Sequence, residues 1–472
     1  MPTASVLRRS LLLAALLGAA VAMSLSVSTR MDDPDFWWHL RAGQWTVLHR
    51  AVPDLELFSA NHVSERWVAY SWAYDVVIYA FHQAFGLAGQ PVLSALSTLA
   101  IAGILFRMVR SLSGRTAFAA AATGAGLVAI SAMLYGRSTM FTIVFALLEI
   151  HLLTEALVHG KRRGLVAVPF VLAAWANVHV QFVYGLFVLG CFLAQALHER
   201  RFSLARSLAW TGAASLAATC LTPYLGRIYL PFAQYLGQSG TIYRLLQELQ
   251  SPGFRTLDGW AALGIVVAVA HGVGRRPVGK PFLLLLFAAA VAMGFTSVRD
   301  VWFVVATGLP LLALAHAREG EPEPRLENPW LVAAGTLAMA AGAAASQGVD
   351  EAALSARIAE HYPVRAAEHV EAHGYAGPLF NTYDWGGWLE WRWPDRLVSI
   401  DGRTYVHSTE YIARSFRIWN AMPGWREDRE LGAAGIVLGA SGLPLLAALE
   451  GDPRFRRVYR DEVATVFVRA GD

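Results

Sequence analysis

The sequence predicts an α-helical polytopic membrane protein of about eleven spans with a small extracytoplasmic α/β domain at its C-terminal end. Three observations lead there. The 472 residues are 55% hydrophobic and only 16% charged, whereas soluble chains carry about 25% charged residues. The apolar runs recur at lengths of about 20 residues, enough helix to cross a hydrocarbon core. Past Gly348 the runs shorten and strands alternate with helices, the pattern of a layered α/β fold.

The candidate spans cover roughly 9–29, 89–109, 116–134, 138–158, 164–178, 182–198, 207–222, 257–273, 281–297, 300–316 and 328–346. Arg8 and Arg9 ahead of the first run give it the look of a signal peptide. The later spans commit the chain to the bilayer, so residues 9–29 are read as a retained span. Basic residues gather in alternate connections: Arg107, Arg110 and Arg115, then Lys161 to Arg163, then Arg200, Arg201 and Arg206, then Arg275, Arg276 and Lys280, and finally Arg318 to Glu327. A cytoplasmic N-terminus places every one of these clusters inside. The net charge of +4 therefore reflects membrane anchoring and points away from nucleic acid. The count requires residues 67–86 to lie along the interface, which Tyr70, Ser71, Tyr74, Asp75, His82 and Gln83 suit. Cys191 and Cys220 sit in apolar stretches and read as small buried residues without a disulfide.

The outer face then collects the acidic loop at 30–66, Arg137, Asn177 with His179, the long 223–256 connection and Arg299-Asp300. The chain divides into a membrane domain, 1–347, and an outer α/β domain, 348–472. In the latter, 351–374, 408–420 and 443–450 have helical patterning. Pro378 to Thr382, Leu397 to Ile400 and Gly435 to Leu438 read as strands, and Phe455 to Arg469 as a hairpin around Asp461-Glu462.

The densest chemistry lies where the first span ends: Asp32-Asp33-Pro34-Asp35-Phe36-Trp37-Trp38-His39. Tryptophans at that depth are ordinary interface anchors. Packed carboxylates are not, since like charges side by side shift one another's pKa. A lipid-linked substrate would present its head group at this boundary. Aspartate ahead of an apolar run also caps a helix, so both readings stand for Asp33 and Asp35, while Asp32 is read as a cap.

Four stretches resemble the C-type glycosyltransferase (GT-C) superfamily, and within it a bacterial group that opens with DPDxWWHLRxGxW and a Pro-Asp-x-x-x-Phe-Ser segment and ends with DWGGxL and IDGR. Here they are Asp33 to Trp45, Pro53 to Ser59, Asp384 to Leu389 and Ile400 to Arg403. Trp175 to His179, Thr222-Pro223-Tyr224, Gln247-Glu248 and Ser297-Val298-Arg299 also fit. Val180 stands where the group has glycine, and Ser138 where proline commonly follows the arginine.

The resemblance implies an inner-membrane enzyme that passes a hexosyl or pentosyl group, with inversion, from a polyprenyl-phosphate carrier to an envelope glycan, lipid or protein. It implies a loop-one carboxylate as general base or metal ligand. Asp33 and Asp35 occupy that place, and Asp33 is preferred because it opens the motif. No ligand set is dense enough to name a divalent cation, although the resemblance admits one. His39 is a candidate for metal or phosphate, and Arg41 for pairing with Asp35. Arg137, Arg244 and Arg299 are candidates for the donor phosphate, which guanidinium matches bidentately. Asn177 and His179 would face substrate, and Glu248 would supply a second carboxylate. Glu149, inside a span with His151 nearby, is kept apart because residues two apart on a helix face different ways. Asp401-Gly402-Arg403 with Asp384 reads as a structural turn or an acceptor contact. Two rival readings remain at this point. One is a transporter or flippase for a lipid-linked glycan, which the absence of matched Gly/Pro-broken segments disfavours. The other is a non-catalytic envelope assembly protein. Nothing in the sequence names a protein partner.

Overall fold

The computed structural model describes residues 4–63, 65–237, 246, 249–317 and 327–471. The helices, in chain order, begin with α1 (Ala4–Ser28), α2 (Asp35–His49), α3 (Trp72–Phe85), α4 (Gly89–Ser113), α5 (Thr116–Ala129) and α6 (Ser138–His159). They continue with α7 (Val168–Ala176), α8 (Phe182–His198), α9 (Phe202–Ala218), α10 (Leu230–Gly237), α11 (Leu257–Arg275), α12 (Pro281–Thr296), α13 (Val301–Ala315) and α14 (Pro329–Gln347). The chain forms two compact units: Met1–Thr29, Gln90–Ile228 and Leu246–Val349 make one, and Arg30–Gly89, Tyr229–Leu245 and Asp350–Asp472 make the other.

The first unit is the helical one. Its helices α1 and α14 approach closely through small residues: a Cβ on Gly18 would sit 2.6 Å from Met339, and one on Gly335 would sit 2.9 Å from Ala14. Such contacts suit helices in lipid, where dispersion and close backbone approach replace the hydrophobic effect. Helix α13 is buried along nearly its whole length, including Trp302 and Phe303. A helix apolar all round belongs at the centre of its unit. Among the described residues, six helical segments are long and apolar enough to cross a membrane, and α5, α8 and α12 are shorter apolar helices. This is fewer than the eleven expected from apolar runs. Apolar composition continues through turns, so run length overstates helix length. The expected span 164–178 is a 3₁₀ turn, Arg162–Ala167, followed by nine residues of α7.

The second unit gathers α2, α3 and α10 with the C-terminal residues. There the helices are α15 (Glu351–His361), α16 (Val364–Ala372), α17 (Gly386–Arg392), α18 (Thr409–Trp419), α19 (Arg429–Ala433) and α20 (Pro444–Leu449). The strands are β1 (Leu379–Asn381), β2 (Ile436–Ala440), β3 (Phe455–Arg460) and β4 (Ala464–Arg469), in the order β1-β2-β4-β3. β1 pairs parallel to β2, with Phe380 opposite Val437, and the other pairs are antiparallel. Central β2 and β4 are apolar and buried, whereas edge strand β3 carries the charge, which discourages pairing with further strands. Phe380, Trp419, Val437, Leu445, Phe455 and Phe467 fill the core.

Most expected C-terminal elements form, with one exception. Leu397 to Ile400 adds no strand to the sheet. Val398 instead donates its N–H to the Phe58 carbonyl at 3.0 Å and accepts from Ala60 at 2.9 Å, a single bridge to the loop after α2. The strand-like composition is real, but its partner is another loop. The stretch 351–374 is helical as expected, broken at Tyr362-Pro363, because proline disfavours a helical residue before it.

Candidate active site

The acidic motif becomes a tight turn and the start of α2. Met31 takes a left-handed backbone, φ 56°; beyond it Asp32 is exposed and Asp33 buried. One Asp33 oxygen accepts the backbone N–H of Asp35 at 3.1 Å, a capping contact. Asp35 Oδ1 accepts the Trp38 indole N–H at 3.0 Å, and its charge suits the positive end of the helix. The glycines of the C-terminal motifs press against this turn. A Cβ on Gly402 would fall 2.3 Å from Asp35 Oδ1, and one on Gly387 would lie 3.0 Å from the Pro34 carbonyl. Only a residue without Cβ allows that approach.

One turn along α2, His39 Nδ1 lies 2.5 Å from Asp75 Oδ1, with both side chains buried. The imidazole stacks on Trp38 at 3.5 Å and meets the edge of Tyr74 at 4.7 Å. Gly43, one turn further, makes the pairing reachable: its Cβ would lie 2.0 Å from the Asp75 carbonyl. The His and Gly of the opening motif therefore share one face of α2, against α3. Arg41 does not pair with Asp35. It donates to Gln44 at 2.8 Å and to the Pro394 carbonyl at 2.9 Å, since a separation of six residues turns the two to different faces.

Beside this lies a buried ionic knot. Arg403 Nε and Nη2 reach Asp401 at 2.9 and 2.6 Å. Nη1 and Nη2 form a bidentate pair with Glu56 at 2.7 and 2.8 Å. Phe58 and Trp67 lie 5.2 and 4.8 Å from the guanidinium carbon, within cation–π range. His407 closes on Asp401 at 3.1 Å. Burial works against the Asp401 charge, but Arg403 and then His407 hold its carboxyl well below the usual range. Burial, then the Asp401 charge, push the Glu390 carboxyl well above it, so Glu390 keeps its proton. This knot joins the Pro53 to Ser59 segment to the Ile400 to Arg403 motif.

A second acidic centre is built differently. Tyr362 is 2% exposed, with its ring 5.6 Å from Trp37 edge-on and 6.0 Å from Trp388 face-on. Its hydroxyl and the buried Trp37 indole N–H face each other, and neither completes a well-formed hydrogen bond among the described residues. Burial raises the phenol's pKa well above its ordinary value, and the charge of Asp33, with those of Asp32 and Asp384, raises it further against the opposing effect of the Trp37 N–H. The phenol thus stays a donor facing three carboxylates. An unpartnered buried hydroxyl costs about 1–3 kcal/mol, and natural proteins leave few of them.

In the first unit, Asn177 serves backbone carbonyls, Ala173 at 2.8 Å and Leu221 at 3.0 Å. His179 is buried, its Nδ1 2.9 Å from Thr142 Oγ1. The charges of Arg299 and Arg137 both act on it, so three of the expected residues share one neighbourhood. Asp300 accepts from Gln181 at 2.7 Å and Tyr184 at 3.2 Å. Glu149 is fully buried in α6 without a hydrogen-bond partner among the described residues, against Gly185. Glu248 and Arg244 lie outside the described residues. Among those described, no three His, Cys, Asp or Glu side chains are arranged to hold a metal ion. Sequence reasoning assigned no site role to Glu56, Asp75 or Tyr362. Glu56 stood inside a quoted motif, Asp75 counted only as polarity, and Tyr362 gave no signal beyond the proline after it.

No protein-family model matches the sequence, nor does a curated protein. Solved structures do. ArnT from Cupriavidus metallidurans bound to undecaprenyl phosphate superposes with a TM-score of 0.53 at 14% identity, over 97% of this chain and 98% of that one. The same protein in the apo state gives 0.56 at 14% identity, over 96% and 97%. The archaeal oligosaccharyltransferase AglB from Archaeoglobus fulgidus, in complex with an inhibitory peptide and a dolichol-phosphate, gives 0.54 at 10% identity, over 97% and 74%. This chain has a GT-C-like fold. The likeness runs along nearly its full length and belongs to a multi-pass membrane protein with several apolar helices and a small C-terminal sheet.

Proposed function

We propose that the protein is a multi-pass membrane glycosyltransferase that moves a sugar from a polyprenyl-phosphate carrier to an envelope glycan, lipid or protein. The supporting observation is that the acidic start of α2 folds within one compact unit against the Gly387 and Gly402 backbones, in a chain whose fold matches ArnT end to end. Asp33 is the base in this reading. Its carboxylate takes the proton of the acceptor hydroxyl while that oxygen attacks the anomeric carbon. The bond from that carbon to the phosphate oxygen breaks, its electron pair stays on the phosphate, and the configuration inverts. Asp35, fixed by Trp38, holds the helix start that the Asp33 carboxylate caps. His39, Arg41, Asn177, His179 and Glu248 remain substrate-binding candidates, and Arg137 and Arg299 carry the charge that suits a phosphate.

In this proposal the protein sits in the inner membrane with its C-terminal domain outside. A C-terminal alkaline phosphatase fusion would be active; activity only in cytoplasmic fusions would overturn the orientation. The function is tested by mass spectrometry of envelope glycans from a deletion strain. The reading expects a sugar substituent to vanish and return with the wild-type gene. Identical glycan spectra in both strains would overturn it.

A further inference from the structure

We propose that Tyr362 and the acidic cleft it lines form an acceptor subsite in the C-terminal domain that takes the hydroxyls of a neutral or amino-bearing carbohydrate. This rests on the transferase reading above. Tyr362 belongs to two surroundings at once: it faces the start of α2, and it lines a cleft of about 950 Å³ together with Glu360, Arg365, Trp385, Asp461 and Glu462. Two independent features point to a ligand. The Tyr362 hydroxyl and the Trp37 indole N–H are adjacent buried donors that complete no well-formed hydrogen bond among the described residues, set among aromatic rings that fix their position. The second is the open cleft beside Tyr362, whose walls bring Glu360, Asp461 and Glu462 together, with the charge of Asp33 acting on the same hydroxyl.

The chemistry selects the ligand class. Three of the cleft residues named above are acidic and one is basic, so with three further carboxylates around Tyr362 the field disfavours a phosphate or carboxylate ligand. A sugar hydroxyl, in contrast, both accepts and donates. It can accept from the phenol and the indole while donating to a carboxylate. An amino group gains further from the same acids. The phenol keeps its proton in this surrounding, so it serves as donor, and the hydroxyl it holds lies in the reach of the field of Asp33.

The test uses the full-length protein in lipid nanodiscs, with the glycan fraction of the deletion strain as acceptor and its lipid-linked sugars as donor. Tyr362→Phe keeps the ring and removes only the hydroxyl. The apparent KM for the acceptor fraction should rise about three- to tenfold, the loss of one hydrogen bond, with kcat changed much less. The thermal shift produced by undecaprenyl phosphate should be unchanged, and the unfolding midpoint equal or higher, because an unpartnered hydroxyl contributes no stability. An unchanged KM overturns the subsite. A lowered midpoint also overturns it, since the hydroxyl would then be a structural group. If the wild type transfers no sugar, the transferase reading itself fails, and that outcome is distinct from an active wild type matched by its Tyr362→Phe variant.

Discussion

Two acidic centres of the second unit use the same residue types to opposite ends. Around Arg403, the carboxylates of Asp401 and Glu56 are met by a guanidinium, a histidine and backbone N–H groups. Around Tyr362, three carboxylates act on a phenol that, with the adjacent indole, completes no well-formed hydrogen bond among the described residues. The first arrangement locks two distant segments of the chain together. The second leaves donors unanswered in a place where a ligand can answer them. A buried charge with good partners is therefore weak grounds for catalysis, while an unsatisfied buried polar group asks for an explanation. Conspicuous motifs fill both centres, so the motif alone does not tell them apart.

The knot is where substitution should do most damage to folding. Arg403→Met leaves Glu56 and Asp401 buried without their cation, a loss of about 3–5 kcal/mol, read as a collapse of the unfolding transition and of membrane protein levels. A stable Arg403→Met protein would erase the distinction drawn above. Gly402→Ala comes next. Its Cβ would meet Asp35 Oδ1 at 2.3 Å, and such overpacking costs about 1–3 kcal/mol, measurable by thermal unfolding.

Glu390→Gln sharpens the comparison through pH. Asp401 has a depressed carboxyl pKa in the folded protein, so its contribution is present above its unfolded pKa and lost as pH falls below about 4. Glu390 is raised, so its contribution is present below its unfolded pKa and fades as pH rises through the folded value. Because the unfolded carboxyl ionises at about pH 4.3 while the folded one keeps its proton, Glu390→Gln should raise stability at neutral pH and flatten the fall in stability above about pH 5, while leaving the acid side intact. The smallest effect belongs to Arg392, paired with Glu371 at 2.7 Å but about 40% exposed on both sides. Arg392→Gln should fall within about 0.5 kcal/mol, the same ion pair as in the knot with its burial removed.

Much of this was legible in the sequence. Apolar runs gave a polytopic protein, and the alternation after Gly348 gave the C-terminal helices, β1, β2 and the hairpin. Span number was less legible, because 3₁₀ turns such as Arg162–Ala167 are as apolar as the helices they join and several apolar helices are short. Leu397 to Ile400 misled because strand composition does not reveal its partner, here the Phe58 to Ala60 loop. Within the candidate site, His39 and Gly43 were visible as motif letters. Their reason, the Asp75 carboxylate and carbonyl on α3, needs the helix pairing. Tyr362 was invisible because its role depends on Trp37 and Asp384, more than 300 and about 20 positions away in the chain.

The central claim is that Asp33 takes the proton. Asn caps a helix about as well as Asp, so Asp33→Asn retains size and the contact to Asp35 while removing basicity. The decisive measurement is the transfer rate of this variant against wild type at matched, folded protein levels. The account predicts a fall of about 10²–10⁴-fold with an unchanged unfolding midpoint; transfer at the wild-type rate would contradict it.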